Sequence, residues 1–331
     1  MERSWPVQSD IKSKRLKWQE PQADLSWAWV KQLREKNRTK RIYDVNPYVE
    51  VYQFRDNLYG LYADNLDGLS DPWMYLIVGP KKALLLDTAF GLGDTKSLVD
   101  EITGGKELIV VNTHSGPDHA YGDCRFEKVY CHRYDVPKLK AQHAGMWDYL
   151  FDENGNNIWV DFEREDLPQF REYGIVPYED GQIFDLGEGY EVKMFWMGGH
   201  TPGSSGLIDP INRIFFPGDT LVSMRTSLGG GVKEPLAEGE FAKFGTVETL
   251  CERMRILLEE HFDEFDYVFP QHLIVNVEKG VLPYELQALE QILKDPDDFD
   301  GIVRVKSPQS GRENEYRLKY IQGFGPVGYR V

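Results

Sequence analysis

Histidine and aspartate residues follow four apolar runs that are typical of β-strands. The runs are ELIVVN at 107–112, VKMFWM at 192–197, RIFFP at 213–217 and YVFP at 267–270, and the residues that follow them are His114, Asp118, His119, His200, Asp219 and His272. Side chains at strand ends can converge on one edge of a sheet, where the strands hold them rigidly. Imidazoles and carboxylates are ligands that zinc, iron and manganese accept. The pattern therefore predicts a site for one or two divalent metals.

The elements that must position these residues are strands, then a helix, then further strands and further helices. Further strands are predicted over 49–54, 74–79 and 83–88, where apolar runs are separated by Gly, Pro and Asp. Helices are predicted over 23–37, over 94–102 with Asp94 as the cap, over 246–262 and over 283–294. The segment 131–185 is less regular, and 301–331 is expected to hold one hairpin. This order predicts an α/β layered protein.

The ordered set of motifs resembles the metallo-β-lactamase superfamily. That family is marked by a His-x-His-x-Asp-His loop, a later Gly-His-x-x-Gly, then Gly-Asp and a final His. Here these correspond to 114–119, GGHTPGSSG at 198–206, FPGDT at 216–220 and PQHL at 270–273, while ALLLDTAFG at 83–91 matches the strand and turn under the site. The resemblance implies a four-layer αββα sandwich with the metals at one edge, between its sheets.

Carried over residue by residue, the resemblance implies two metal positions that share Asp219 as a bridging ligand. The first position retains His114 and His200, and the second has Asp118, His119 and His272. Asp118 is also expected to orient the nucleophile, so that Asp118 and Asp219 are the candidate catalytic residues. Asp87 is expected to support the loop beneath the site by hydrogen bonding rather than to bind metal.

One position departs from the family pattern. The second histidine of the first loop is replaced by Gly116, which has no side chain to offer a metal. Either the first metal position is weak or empty, or it is occupied with open positions for water and substrate. The second arrangement, two histidines and one carboxylate, also suits ferrous iron or manganese. Zinc is the expected metal, with manganese or iron as alternatives.

Residues outside the ligand set suggest a substrate pocket, but their pattern is less specific than that of the metal ligands. Tyr121, Trp147, Tyr149 and Arg225 are candidates for its wall, although packed structure explains the aromatic residues equally well. An arginine there could bind a substrate carboxylate. The other three histidines, His132, His143 and His261, are not expected to be ligands.

Charge and cysteine content restrict the compartment and the partners. The net charge is −16, and the first 41 residues carry +6, so the rest of the chain is at −22. Such a body repels nucleic acid and anionic membranes, and the substrate is expected to be a small molecule. The basic segment either binds an anion or an acidic partner, or lies on its own acidic body. Three cysteines without a CxxC pair and a start without an apolar block predict a cytoplasmic protein without disulfides.

These observations favour a metal-dependent hydrolase of an ester, lactone, thioester or cyclic carbonyl compound. An iron-dependent redox enzyme on the same scaffold and a non-catalytic metal-binding protein are the alternatives. We expect a basic extension over 1–46, a catalytic domain over 47–275, and a C-terminal helix and hairpin over 276–331 packed on that domain. The two end regions are expected to form either a homo-oligomer interface or a cover over the pocket, and the sequence does not choose between these alternatives.

Overall fold

The computed structural model describes residues 7–17 and 24–331, with side chains described from residue 28 in the second range. The described residues form two compact units. Unit 1 holds the described residues up to Cys131 together with Pro137–Pro177 and Asp185–Tyr190. Unit 2 holds His132–Val136, Tyr178–Phe184 and Glu191–Val331.

An eight-stranded sheet forms the framework of unit 1, in the order β10-β8-β7-β6-β5-β4-β3-β2. Its strands are β2 (Arg41–Tyr43), β3 (Asn46–Arg55), β4 (Leu58–Ala63), β5 (Trp73–Val78), β6 (Lys82–Leu86), β7 (Glu107–Val111), β8 (Lys128–His132) and β10 (Gly174–Tyr178). A separate two-stranded sheet is formed by β1 (Lys14–Arg15) and β9 (Val160–Asp161). Strands β2 to β6 are antiparallel, whereas β6, β7 and β8 run parallel. The carboxyl ends of β6 and β7 therefore lie side by side.

The helices of this part of the chain are α1 (Asp24–Lys36), α2 (Thr95–Thr103), the single turn α3 (Pro117–Ala120) and α4 (Val136–Lys140). Helix α2 begins where the sequence predicts, because the Asp94 side chain accepts a hydrogen bond from the Ser97 amide at 3.0 Å. It ends at Gly104, which has a left-handed φ of 69°.

Unit 2 contains two sheets. The six-stranded sheet has the order β11-β12-β13-β14-β16-β17, formed by β11 (Ile183–Asp185), β12 (Glu191–Trp196), β13 (Ser205–Asp209), β14 (Ile214–Phe216), β16 (Tyr267–Val268) and β17 (Val277–Glu278). The four-stranded sheet has the order β15-β20-β19-β18, formed by β15 (Thr226–Leu228), β18 (Gly301–Lys306), β19 (Glu313–Tyr320) and β20 (Pro326–Tyr329). Helices α5 (Val247–Glu260) and α6 (Val281–Lys294) bury their apolar faces in the main core cluster of this unit.

The predicted helices are confirmed within a few residues. The hairpin near the C-terminus is also confirmed, as β18 and β19. Strand β20 was not predicted; it pairs with both β19 and β15, so that the end of the chain joins a strand about one hundred residues earlier. None of the helices in the described ranges has the length and apolar content needed to cross a bilayer.

The described part of the basic N-terminal segment, residues 7–17, contacts acidic side chains of unit 1. Lys12 pairs with Asp166 at 2.7 Å, and Arg15 forms a buried ion pair with Asp71. The Ser13 hydroxyl donates to Asp64 at 2.7 Å. This portion of the segment is therefore bound to its own body.

Candidate metal centre

The first loop positions its ligands by way of two neighbouring parallel strands. Asp87 comes directly after β6, and the loop that leads to α3 follows β7, so both start from the same edge of the sheet. His114 and His119 are buried, with ring centroids 4.0 Å apart. Nε2 of His119 lies 3.7 Å from Oδ1 of Asp118. These three predicted ligands thus form one His/Asp group within unit 1.

Asp87 fixes the orientation of both imidazoles in this group. It accepts hydrogen bonds from the Thr113 amide at 2.7 Å and from the Thr113 hydroxyl at 2.9 Å, and it contacts Nδ1 of His119 at 2.9 Å. The hydroxyl of Thr113 lies 3.1 Å from Nδ1 of His114. Because that hydroxyl donates to the carboxylate, it accepts from the ring. Both rings therefore carry hydrogen on Nδ1 and present Nε2 as the ligand atom.

The supporting role predicted for Asp87 is confirmed. Its carboxyl is 1% exposed, and its backbone has an unusual left-handed φ of 66°. Burial raises the pKa of Asp87, while the charge and hydrogen bonds of His119 and the hydrogen bonds of Thr113 act to lower it.

Asp118 is held by the loop between β4 and β5. Asn65 donates from Nδ2 to Oδ2 of Asp118 at 2.9 Å. Two residues further on, Asp67 accepts from the Tyr149 hydroxyl at 3.2 Å. Burial and, to a smaller extent, the charge of Asp118 raise the pKa of Asp67 to about 7. Sequence reasoning missed Asn65 and Asp67, although the polar turn DNLDGLSD between two strand-type runs was the available signal.

The second group lies within unit 2 at the ends of three strands that run in the same direction. Strand β12 is antiparallel to β13, β13 is antiparallel to β14, and β14 is parallel to β16. His200, Asp219 and His272 follow β12, β14 and β16 and so start from one edge. Nε2 of His272 lies 3.2 Å from Oδ1 of Asp219, and Nε2 of His200 lies 3.7 Å from Oδ2. Each oxygen of the carboxylate therefore faces one imidazole.

The loop that carries His200 has its own supports. Gly198 and Gly199 both have positive φ, at 63° and 77°, which turns the chain sharply after β12. Buried Asp135 accepts from the Thr201 hydroxyl and from the Gly203 amide, each at 2.8 Å. Nδ1 of His200 donates to the Ser227 carbonyl at 2.7 Å, because a carbonyl oxygen can only accept. Sequence reasoning missed Asp135 and Ser227.

The glycine that departs from the family pattern stands against a ligand nitrogen. Gly116 caps α3, and a Cβ atom built on it would lie 2.6 Å from Nε2 of His114. A side chain there would require the imidazole to move. The missing histidine is therefore consistent with the position of His114 in this loop.

The predicted pocket residues are packed to different degrees. Trp147 is 4% exposed, donates to the Phe90 carbonyl at 3.2 Å and meets Tyr121 edge to face. Tyr149 is half-buried and bonds to Asp67. Arg225 donates from Nε to the Ser227 hydroxyl at 3.0 Å, and burial lowers its pKa. A role for these residues in binding substrate stays a prediction.

His132 lies outside the two groups, as predicted. Its ring stacks on Trp196 with centroids 5.7 Å apart, and burial lowers its pKa to about 4. All three cysteines are buried and carry no disulfide, which confirms that part of the expectation.

The two groups offer imidazole nitrogens and carboxylate oxygens, a donor set that fits zinc, manganese or ferrous iron. Hydrogen bonds from Nδ1 to carboxylate, hydroxyl or carbonyl oxygens are the usual support of metal-binding histidines. Within the described residues, the donor types and their supports therefore fit a divalent metal.

A family model described as the metallo-beta-lactamase superfamily matches residues 67–242, which is more than half of the chain. The chain belongs to this superfamily, and its predicted α/β metallo-β-lactamase fold class is confirmed. Members of the superfamily are metal-dependent hydrolases, which supports a metallo-hydrolase at that level.

Solved structures of metallo-β-lactamases resemble the chain at low identity. DIM-1 is 18% identical, with a TM-score of 0.49, over 74% of this chain and 98% of its own. TMB-1 is 19% identical, with a TM-score of 0.48, over 73% and 97%. The enzyme from Pontibacter korlensis is 15% identical, with a TM-score of 0.48, over 73% and 99%. A search of curated proteins found no match.

Proposed function

We propose that this protein is a metal-dependent hydrolase of a small-molecule ester, lactone, thioester or cyclic carbonyl compound. The observation that carries the proposal is the hydrogen bonding of the histidines. Nδ1 of His114, His119 and His200 contacts Thr113, Asp87 and Ser227 respectively. Each ring is thereby fixed with Nε2 directed away from its support, and such fixed orientation is what a preorganised metal site requires.

A divalent metal bound by these residues supplies a Lewis acid and lowers the pKa of a water molecule from near 16 to about 7. The chain itself supplies the ligands and two carboxylates. Asp118 is fixed through Oδ2 by Asn65, which leaves Oδ1 directed to the side of His119. We assign Asp118 the orientation of the nucleophilic water, with Oδ1 accepting its proton. Asp219 directs one oxygen toward Nε2 of His272 and the other toward Nε2 of His200, so it would serve as a ligand beside both imidazoles.

The choice of a small substrate is supported by charge. Beyond residue 41 the chain carries −22, which disfavours the binding of nucleic acids and other polyanions. Zinc is the proposed metal because imidazole and carboxylate ligands suit it, and manganese or iron are alternatives that the same donors accept.

Metal analysis followed by a substrate screen tests the proposal. The purified protein is analysed for bound metals, then supplied with zinc, manganese or iron and assayed for proton release from lactones, thioesters, esters and cyclic diketones. We expect one or two metal ions per chain and turnover that His119→Ala and Asp219→Ala abolish. His143→Ala is the matched control because His143 is exposed and lies outside both groups.

The outcomes separate the candidate functions. Turnover that is equal in His119→Ala and in the wild type would overturn the proposal. Bound iron with oxygen consumption and no proton release would favour a redox enzyme instead. Metal binding without turnover of any of these compounds would contradict the proposed substrate class.

A further inference from the structure

The support of one candidate ligand comes from a strand at the edge of the four-stranded sheet. The Ser227 carbonyl, which accepts from Nδ1 of His200, belongs to β15. Strand β15 is only three residues long and is the terminal strand in the order β15-β20-β19-β18. Its single neighbour within this sheet is therefore β20.

Strand β20 lies at the C-terminus, outside the region that matches the family model. It pairs with β15 in parallel, with Ser227 opposite Gly328 and with Thr226 and Leu228 opposite Val327 and Tyr329. A three-residue strand has few backbone hydrogen bonds of its own, so its position depends strongly on this neighbour.

Side-chain packing also fixes the position of β15 against β20. Val327, Tyr329 and Leu228 are fully buried in the core cluster of unit 2. A Cβ atom at Gly328 would lie 2.7 Å from Cδ of Arg225, the residue just before β15. Beyond β20, Arg330 donates to the Gly229 carbonyl at 3.3 Å. The backbone of β15 is thus confined by β20 from its first residue to the loop that follows it.

We propose that β20 is a positioning element for the candidate ligand His200. It sets the place of the Ser227 carbonyl, and that carbonyl selects the tautomer in which His200 presents Nε2. The C-terminal region thereby gains a role in the metal centre that does not require any of its side chains to touch a metal. This inference rests on the metal role proposed for His200.

Gly328→Val tests the proposal because it forces a side chain between β20 and Arg225. The matched control is Gly301→Val on β18, at the far edge of the same sheet, where a Cβ would have its nearest neighbour at 3.8 Å. We expect zinc affinity, measured by chelator competition, to fall by about tenfold or more in Gly328→Val. Gly301→Val should stay within about twofold of the wild type.

The second readout needs no metal. Long-range ¹H–¹⁵N correlation spectra of the metal-free protein report which ring nitrogen of His200 carries hydrogen, because a protonated and an unprotonated imidazole nitrogen give different signals. We expect hydrogen on Nδ1 in the wild type and in Gly301→Val, and a mixture of tautomers in Gly328→Val.

If Gly328→Val fails to fold, Val327→Ala replaces it, with Leu289→Ala on α6 as its control. Both remove fully buried apolar atoms from the same core cluster, but only Val327 lies beside β15. A loss of the Nδ1 tautomer in Val327→Ala alone supports the proposal. Wild-type tautomer and affinity in the β20 variants would overturn it. A wild-type protein that binds no metal would instead contradict the proposed function, while the tautomer comparison would still decide the role of β20.

Discussion

Replacement of Asp87 by asparagine exchanges one carboxylate oxygen for an NH₂ group and should disable a ligand that Asp87 orients. In the wild type, the carboxylate accepts from the amide and hydroxyl of Thr113 and from Nδ1 of His119. Asparagine can keep its oxygen on Thr113, but its NH₂ group then faces His119. Since two donors cannot bond to each other, the ring must move its hydrogen to Nε2. That tautomer has no lone pair on Nε2 for a metal.

The size of the effect follows from burial. Loss of a residue that orients a metal ligand lowers metal affinity by about 10–100-fold, which corresponds to about 1.4–2.7 kcal/mol. Asp87 is 1% exposed and His119 is fully buried, so water cannot take over the lost hydrogen bond. We therefore expect the upper end of this range, about 100-fold weaker binding of zinc.

Competition with a chromogenic chelator measures this affinity directly. Asp94→Asn is the matched control, because it removes the same charge from the N-cap of α2, where asparagine caps nearly as well. Zinc affinity within about threefold of the wild type in Asp87→Asn, or an equal loss of affinity in both variants, would refute the role of Asp87 in orienting His119.

Three other substitutions test separate features. Glu285 on α6 is fully buried, and burial raises its pKa well above the usual value, so the unfolded chain releases a proton that the folded state retains. Glu285→Gln should therefore increase the free energy of unfolding, and this gain should grow by about 1.4 kcal/mol per pH unit from about pH 4.3 up to the raised pKa of Glu285 in the folded state, as measured by urea denaturation. Gly116→Ala puts a methyl group against Nε2 of His114 and should weaken zinc binding about tenfold in chelator competition. Asp135→Ala should speed hydrogen exchange at the Gly203 amide by about tenfold, because the acceptor of that amide is lost.

Each of these predictions has an outcome that contradicts it. A gain in Glu285→Gln that is equal at about pH 5 and about pH 8 would show that the buried carboxyl does not titrate as described. Unchanged zinc affinity in Gly116→Ala would mean that His114 can move without cost. For Asp135→Ala, amides of α2 serve as the internal reference, and an equal change there would indicate global destabilisation rather than loosening of one loop.

The six candidate ligands could be predicted from the sequence because the physics that places them is local. Each follows an apolar run that is long enough to read as a strand, and glycine or proline marks the turn behind it. Strands that run in the same direction bring such residues to one edge of a sheet. Helices α2, α5 and α6 were predictable for a similar reason, since the apolar spacing of each helix, and the Asp94 cap of α2, lie within a single segment.

Apart from Asp87, the supports of those ligands were not predicted, because they depend on pairings between distant segments. Asn65 contacts Asp118 across 53 positions of sequence, and Asp135 contacts Thr201 across 66. Ser227 acts through its backbone carbonyl, which any residue type provides. For Asp135 and Ser227, neither residue type nor spacing distinguishes the partner from an ordinary turn or strand residue, whereas the polar turn around Asn65 was a usable signal.

The N-terminal segment has a consequence for how the protein can be shortened. Arg15 neutralises Asp71, and Asp71 in turn accepts from the backbone amide of Asn65, whose side chain holds Asp118. A truncated chain that began after Arg15 would retain every candidate ligand but would leave a carboxylate in a nearly dry interior without its cation. Movement of that carboxylate would alter the backbone at Asn65 and, through its side chain, the position of Asp118, so removal of the N-terminal segment would change the candidate metal centre.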